Sequence, residues 1–167
     1  MLASEAIRRA SLVGGRADLR QVRLWGLELD QHHAIPSEGT WDVDVDITAG
    51  SSVHDNTVIA RIGYSVGVDM STGEEPRGYQ IKTSWLLYYE LTSTEGLEQL
   101  DYESFAAVSG VFACHPYQRE LVQRLTGQMG YEPLVMSVLR SPTEIRDGED
   151  FEVGGPGTGE ASSVATT

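Results

Sequence analysis

A chain of 167 residues with a formal net charge of −13 is one domain of ordinary size, able to bury roughly two thirds of the surface its unfolded form exposes. That charge repels nucleic-acid phosphates and anionic lipid and suits basic or unfolded protein partners, which argues against a DNA-binding role. The single cysteine, Cys114, excludes an intrachain disulfide and any multi-cysteine zinc site.

No apolar run approaches the ~18 residues of a membrane span, and the start Met1-Leu2-Ala3-Ser4-Glu5 carries an acid instead of the basic head of a signal peptide. A cytoplasmic protein is expected. Ala6, Ile7, Ala10 and Leu12/Val13 recur at near-helical spacing between Ser4, a candidate cap, and Gly14-Gly15, so residues 1–15 read as a short N-terminal helix. From Asp18 the period changes to two. Val22 and Leu24 share one parity and Leu27 and Leu29 the other, which places a bulge at Gly26. His32 to Gly39 reads as a turn.

Trp41, Val43, Val45 and Ile47 alternate with Asp42, Asp44 and Asp46, the pattern of a half-buried strand with an acidic outer face. Gly50 to Asn56 is expected to turn the chain. A longer alternating set runs from Val58 to Met70, Ser71 to Gly78 closes a hairpin, and Tyr79 to Leu91 makes a fourth strand whose second face is partly apolar through Leu86 and Tyr88. Beyond Leu91 the period becomes helical. Asp101 is the expected cap, Tyr102, Phe105, Val108 and Phe112 share a face, Pro116 is expected to kink the helix, and Gly130 to stop it. Leu134 to Leu139 reads as extended. Residues 143–167 form a Gly, Ser, Thr and acid tail with too few apolar groups to order itself.

Together these elements describe an α+β fold: a four-stranded antiparallel meander sheet followed by a long kinked helix, with a short N-terminal helix and a disordered C-terminal tail. The main domain spans 16–142.

The chemistry-bearing patterns mostly favour bland readings. Asp42, Asp44 and Asp46 are spaced like calcium-loop acids, but Ile47 and Val53 stand where such a loop needs glycine and glutamate. His32 and His33 point to opposite faces, and the neighbours Cys114 and His115 project ~100° apart on a helix, too far for a nucleophile–base dyad. No Gly-Lys-Ser/Thr motif exists. No metal, cofactor, nucleotide or enzymatic activity is expected.

The stretch from Val111 to Pro142 carries His115-Pro116-Tyr117, then Arg119-Glu120, Leu125-Thr126-Gly127, Gly130 and Pro133-Leu134. This order resembles the SecB-type export chaperones, and most closely the mycobacterial SecB-like chaperones that accompany toxin–antitoxin pairs. The resemblance covers about Gln21 to Pro142 and implies a sheet backed by a long helix, assembled as a homotetrameric dimer of dimers. It implies an ATP-independent holdase whose apolar grooves hold unfolded polypeptide, either an exported preprotein or a partner antitoxin. Candidate groove residues are Trp85, Leu86, Tyr88, Phe112, Tyr117, Leu134, Met136 and Leu139. It further implies an acidic sheet face that docks the translocase motor SecA, here Glu28, Asp30, Asp42, Asp44 and Asp46, although Lys82 stands where another family acid is expected. After Pro142 no apolar face is present for the helix that lids the groove in export-type members. The competing reading is an acidic interaction or inhibitor protein, of bacterial or phage origin, that blocks a basic partner through the same aspartates.

Overall fold

The computed structural model describes Met1 and residues 3–32, 41–69 and 78–139. Helix α1 (Ala3–Gly14) is followed by strands β1 (Ala17–His32), β2 (Asp42–His54), β3 (Thr57–Asp69) and β4 (Gly78–Leu91). A continuous helix then runs as α2 (Gln99–Phe105), a π-helical turn (Ala106–Gly110) and α3 (Val111–Gln128). Of the turns expected at His32 to Gly39 and Ser71 to Gly78, His32 ends β1 and Gly78 begins β4, while the rest of both, and the expected tail at 143–167, lie outside the described residues.

All four strands are antiparallel, in the order β1-β4-β3-β2. The meander is therefore confined to β2, β3 and β4, and β1 lies on the far side of β4. This makes β1 and β2 the two edges. The α+β class read from the sequence holds.

Three local readings change. The segment Gly50 to His54 is not a turn but the end of β2, paired residue by residue with β3 down to His54 opposite Thr57. Only Asp55 and Asn56 turn, with Asp55 at φ 51°, the left-handed conformation that a two-residue hairpin loop requires and that Asp tolerates. Asp101 is not the cap. Glu98 is, and the Asp101 carboxylate accepts from the Glu98 N–H at 2.9 Å to complete a capping box. Ser4 lies inside α1. The helix continues through Pro116, as the sequence reading allowed, and a π turn precedes it, where an extra residue per turn re-phases the faces on either side.

Gly130 ends the helix as expected, at φ 84°. Its N–H bonds the Gly127 carbonyl at 3.1 Å and the Tyr131 N–H bonds that of Thr126 at 3.0 Å, a Schellman closure.

The helices pack on one face of the sheet, called inner here. Strand periodicity supplies that face: Val58, Ala60, Ile62, Tyr64, Val66 and Val68 from β3, and Tyr79, Ile81, Thr83, Trp85, Leu87 and Tyr89 from β4, all buried. Phe105 meets Tyr89 edge-on at 4.8 Å between ring centroids. Closest approach falls at Gly110, where a Cβ would stand 3.2 Å from the Ala60 Cβ and 3.3 Å from Ile62 Cδ1. Helix and sheet can approach this closely only because that position has no side chain.

Gly110→Val should therefore lower unfolding free energy by about 1–3 kcal/mol through overpacking, read from urea titrations. Gly50→Ala, with nothing within 4 Å of the added methyl, should change it by less than about 1 kcal/mol.

Candidate functional site

β1 carries the feature that the sequence reading only half resolved. Its pairing with β4 slips between Leu19 and Gln21 and again between Leu24 and Gly26. Each slip inserts one residue and reverses the side-chain parity that follows. Leu19, Val22, Leu24, Leu27 and Leu29 consequently all fall opposite inner-face residues of β4: Tyr89, Leu87, Trp85, Thr83 and Ile81.

This apolar row is largely exposed. Leu19 is 42 % exposed, Leu24 36 %, Leu27 44 % and Leu29 46 %. α3 sits over β3 and β4 instead, held by Gln118, whose Oε1 accepts from Thr83 Oγ1 at 2.7 Å and from Trp85 Nε1 at 2.8 Å. Beside that bond Tyr117 lies against the Trp85 indole, centroids 6.2 Å apart, and remains 48 % exposed. A shallow trough results, floored by the β1 leucines, walled by Tyr117 above the buried Trp85, and open among the described residues along the outer edge of β1.

On the β2 side of α3 the space is taken by the chain itself. After the Schellman turn, Tyr131 packs against Tyr79 and Trp41, and the chain runs back along α3. Thr126 Oγ1 accepts from the Leu134 N–H at 2.9 Å, Arg119 Nε donates to the Met136 carbonyl at 2.9 Å, and His115 Nε2 donates to the Ser137 carbonyl at 2.7 Å. With Nε2 carrying its proton, His115 Nδ1 accepts from the Tyr64 hydroxyl at 3.3 Å. Burial lowers the His115 pKa, the bond to Ser137 opposes this, and the Arg119 charge adds to the lowering. Burial also raises Tyr64, and pushes Cys114 up to about 12, so the thiol stays protonated and unreactive.

The eight groove residues named from the sequence thus divide. Trp85 and Tyr117 meet at the trough. Met136 is buried and Leu134 half-buried within the returning segment, Leu139 lies at its end, and Phe112 is exposed on α3. Leu86 and Tyr88 belong to the opposite, outer face, paired with Arg23 and Gln21, so they do not line this trough. The β1 leucines, which the sequence reading did not name for the groove, lie on the inner face too, and their 3-2-3-2 spacing is the signal of two bulges.

The five acids named from the sequence do share one face. Glu28 and Asp30 lie in register with Lys82 and Gln80, and Asp46 and Asp44 with Ser65 and Gly67. Asp42, opposite Asp69, completes the acidic end of the outer face. No group of three or more metal-ligating side chains occurs among the described residues, and no helix there is long and apolar enough to cross a membrane.

Two predictions follow from the inner seam. Gln118→Ala removes the shared acceptor of two buried donors and should destabilise by about 2–4 kcal/mol, measured by urea unfolding. A histidine whose folded pKa lies below 6.5 contributes stability fully above that value and loses it as pH falls towards the folded pKa. The drop in urea midpoint between pH 7 and pH 5 should therefore be smaller in His115→Gln, whose amide can bond both Ser137 and Tyr64 without titrating.

No family model matches the chain. It is 38 % identical over 48 residues to the SecB-like chaperone Rv1957 of Mycobacterium tuberculosis strain ATCC 25618 / H37Rv, and equally to the SecB-like chaperone MT2006 of strain CDC 1551 / Oshkosh. The matched stretch is 29 % of this chain and 26 % of each relative, so the alignment spans about a quarter of the relatives' length. The fold matches more widely. The M. tuberculosis Rv1957 SecB-like chaperone, solved in complex with a ChAD peptide from the Rv1956 HigA1 antitoxin, superposes with a TM-score of 0.73 at 20 % identity, covering 81 % of this chain and 99 % of that one. The chain therefore has the SecB-like fold, and in sequence it is similar to the mycobacterial SecB-like chaperones.

Proposed function

We propose that this protein is an ATP-independent holdase that keeps polypeptide clients unfolded by holding them in the trough between β1 and α3. The observation that carries this reading is the row Leu19, Leu24, Leu27 and Leu29, solvent-exposed beside an unpaired strand edge. Such a row offers apolar contact to many side-chain shapes, and the edge offers backbone hydrogen bonds to an added client strand. Trp85 and Tyr117 add aromatic surface at the wall. The work requires neither a cofactor nor catalytic chemistry.

The chaperone solved with an antitoxin peptide makes an antitoxin the first client to consider, with an exported preprotein as the alternative. Assembly as a dimer of dimers in the cytoplasm accords with the family resemblance. A second reading is favoured by the shared face of Glu28, Asp30, Asp42, Asp44 and Asp46: a basic protein partner, SecA or another, docks there.

Light scattering during dilution of a chemically denatured preprotein tests the holdase reading. Aggregation should be suppressed without nucleotide, and Leu27→Asp/Leu29→Asp should abolish most of that suppression while Asp42→Lys/Asp44→Lys/Asp46→Lys retains it. The opposite pattern would move the acidic-face reading to the front.

A further inference from the structure

The outer face is charge-segregated, and its second half has no role in the function proposed above. Arg23, Leu86 and Arg61 stand in one row across β1, β4 and β3. The next row holds Tyr88 and Ile59. Trp25, the residue that the second β1 slip inserts, is 58 % exposed and lies under the Arg23 guanidinium, 5.2 Å from its ring centroid.

Leu86 is only 6 % exposed although it points away from the helices. On that face it is flanked by the long side chains of its cross-strand neighbours, whose apolar stems shield it while their charged heads stay in water. Neither Arg23 nor Arg61 forms an ion pair among the described residues, whereas Arg20, nearer the end of β1, is held by Glu90 at 2.8 Å and Asp18 at 3.6 Å. In a chain of net charge −13 with 12 Lys and Arg in all, two uncommitted guanidiniums bracketing an apolar floor form a local cationic island. Mainly acids bound it on both sides: Glu90 and Asp18 beyond Tyr88, and Glu28, Asp30 and Asp46, with Lys82 among them, beyond the small-residue row of Gly26, Ser84 and Gly63.

We propose that this island, Arg23, Arg61, Trp25, Leu86 and Tyr88, is a docking site for a short acidic peptide segment that also carries a large apolar side chain. Charge complementarity selects the occupant. Its carboxylates pair with the two guanidiniums, each a planar fork suited to bidentate contact, and its apolar side chain lies on the Trp25 and Tyr88 rings. The flanking acids limit the segment to a few residues and repel an extended basic one. The site is on the face opposite the trough and does not depend on the holdase reading.

The test is fluorescence anisotropy of a fluorescein-labelled peptide of alternating Glu and Leu titrated with the full chain, with a Lys/Leu peptide of equal length as the reference. Affinity for the Glu/Leu peptide should fall at least tenfold in Arg23→Glu/Arg61→Glu, several-fold in Trp25→Ala, and steeply as sodium chloride rises from 0.05 to 0.5 M. The Lys/Leu peptide should bind the arginine variant no more weakly than the parent chain. Leu27→Asp/Leu29→Asp, on the inner face, should retain Glu/Leu affinity within twofold. Circular dichroism spectra and unfolding curves establish that each variant is folded, and Arg61→Gln alone, which introduces no repulsion, should still weaken binding. Unchanged Glu/Leu affinity in the arginine variants, or its loss in the inner-face variant instead, would overturn the proposal. So would concentration-dependent self-association that requires Arg23 and Arg61 and excludes the peptide, since the occupant would then be a second copy of the chain.

Discussion

A helix about 10 Å across cannot cover four strands spaced about 4.8 Å apart, and where the single long helix settles decides what the rest of the molecule exposes. Here the position is set from both ends. Gly110 admits the backbone onto Ala60 and Ile62 of β3, and Gln118 ties the helix to Thr83 and Trp85 of β4. With α3 over β3 and β4 and the α2 and π segments against β2 and β3, the inner faces of β1 and of the start of β2 are left to cover. The chain solves this on one side only, by returning along α3 and seating Tyr131 between Tyr79 and Trp41. On the β1 side nothing comparable arrives among the described residues, and the leucine row stays exposed.

The asymmetry has a cause in hydrogen-bonding chemistry. The returning segment forms no strand, so its polar backbone groups need partners from elsewhere, and α3 supplies them through Thr126, Arg119 and His115, side chains spaced to fall on one flank of the helix. The opposite flank spends its polar group, Gln118, on the sheet and otherwise presents Tyr117, which offers mainly apolar ring. An extended chain on that side would find its backbone partners at the free edge of β1. One flank thus pins a segment of this chain, and the other leaves apolar ring and strand edge open among the described residues.

Much of this was legible in the sequence because it rests on period. The alternation in Val58–Val68 and Tyr79–Leu91 reports strands whose inner face meets a helix, and Asp42, Asp44 and Asp46 fell on one exposed face as their spacing requires. What resisted reading was whatever depends on two distant segments meeting. Strand order is such a case: nothing local in β1 says that it pairs with β4 and not β2. Leu86 and Tyr88 look like groove residues as large apolar groups, but a period of two sends them to the face opposite Trp85. Gly110, Gln118 and His115 carry no pattern at all, since each matters through one partner supplied by the fold. Bulges lie between these extremes. The change of parity at Gly26 is read from Leu24 and Leu27, whereas the same break between Leu19 and Val22 marks the first slip and goes unread.

The two faces then obey different physics. Contacts on the leucine row scale with apolar area removed from water, about 25 cal/mol per Å², and are tolerant of side-chain shape, which suits the client holding proposed for it. Contacts on the outer face act through charges that salt screens beyond roughly 10 Å at 0.1 M, and they discriminate by sign and position. The residue Trp25 joins the two, because the slip that inserts it both returns Leu27 and Leu29 to the inner row and sets an indole beside Arg23 on the outer side. Removing the inserted residue would reverse the parity of the strand beyond it, turning Glu28 and Asp30 inward and Leu27 and Leu29 outward, so a single extra residue in one edge strand maintains the separation of apolar and charged surfaces.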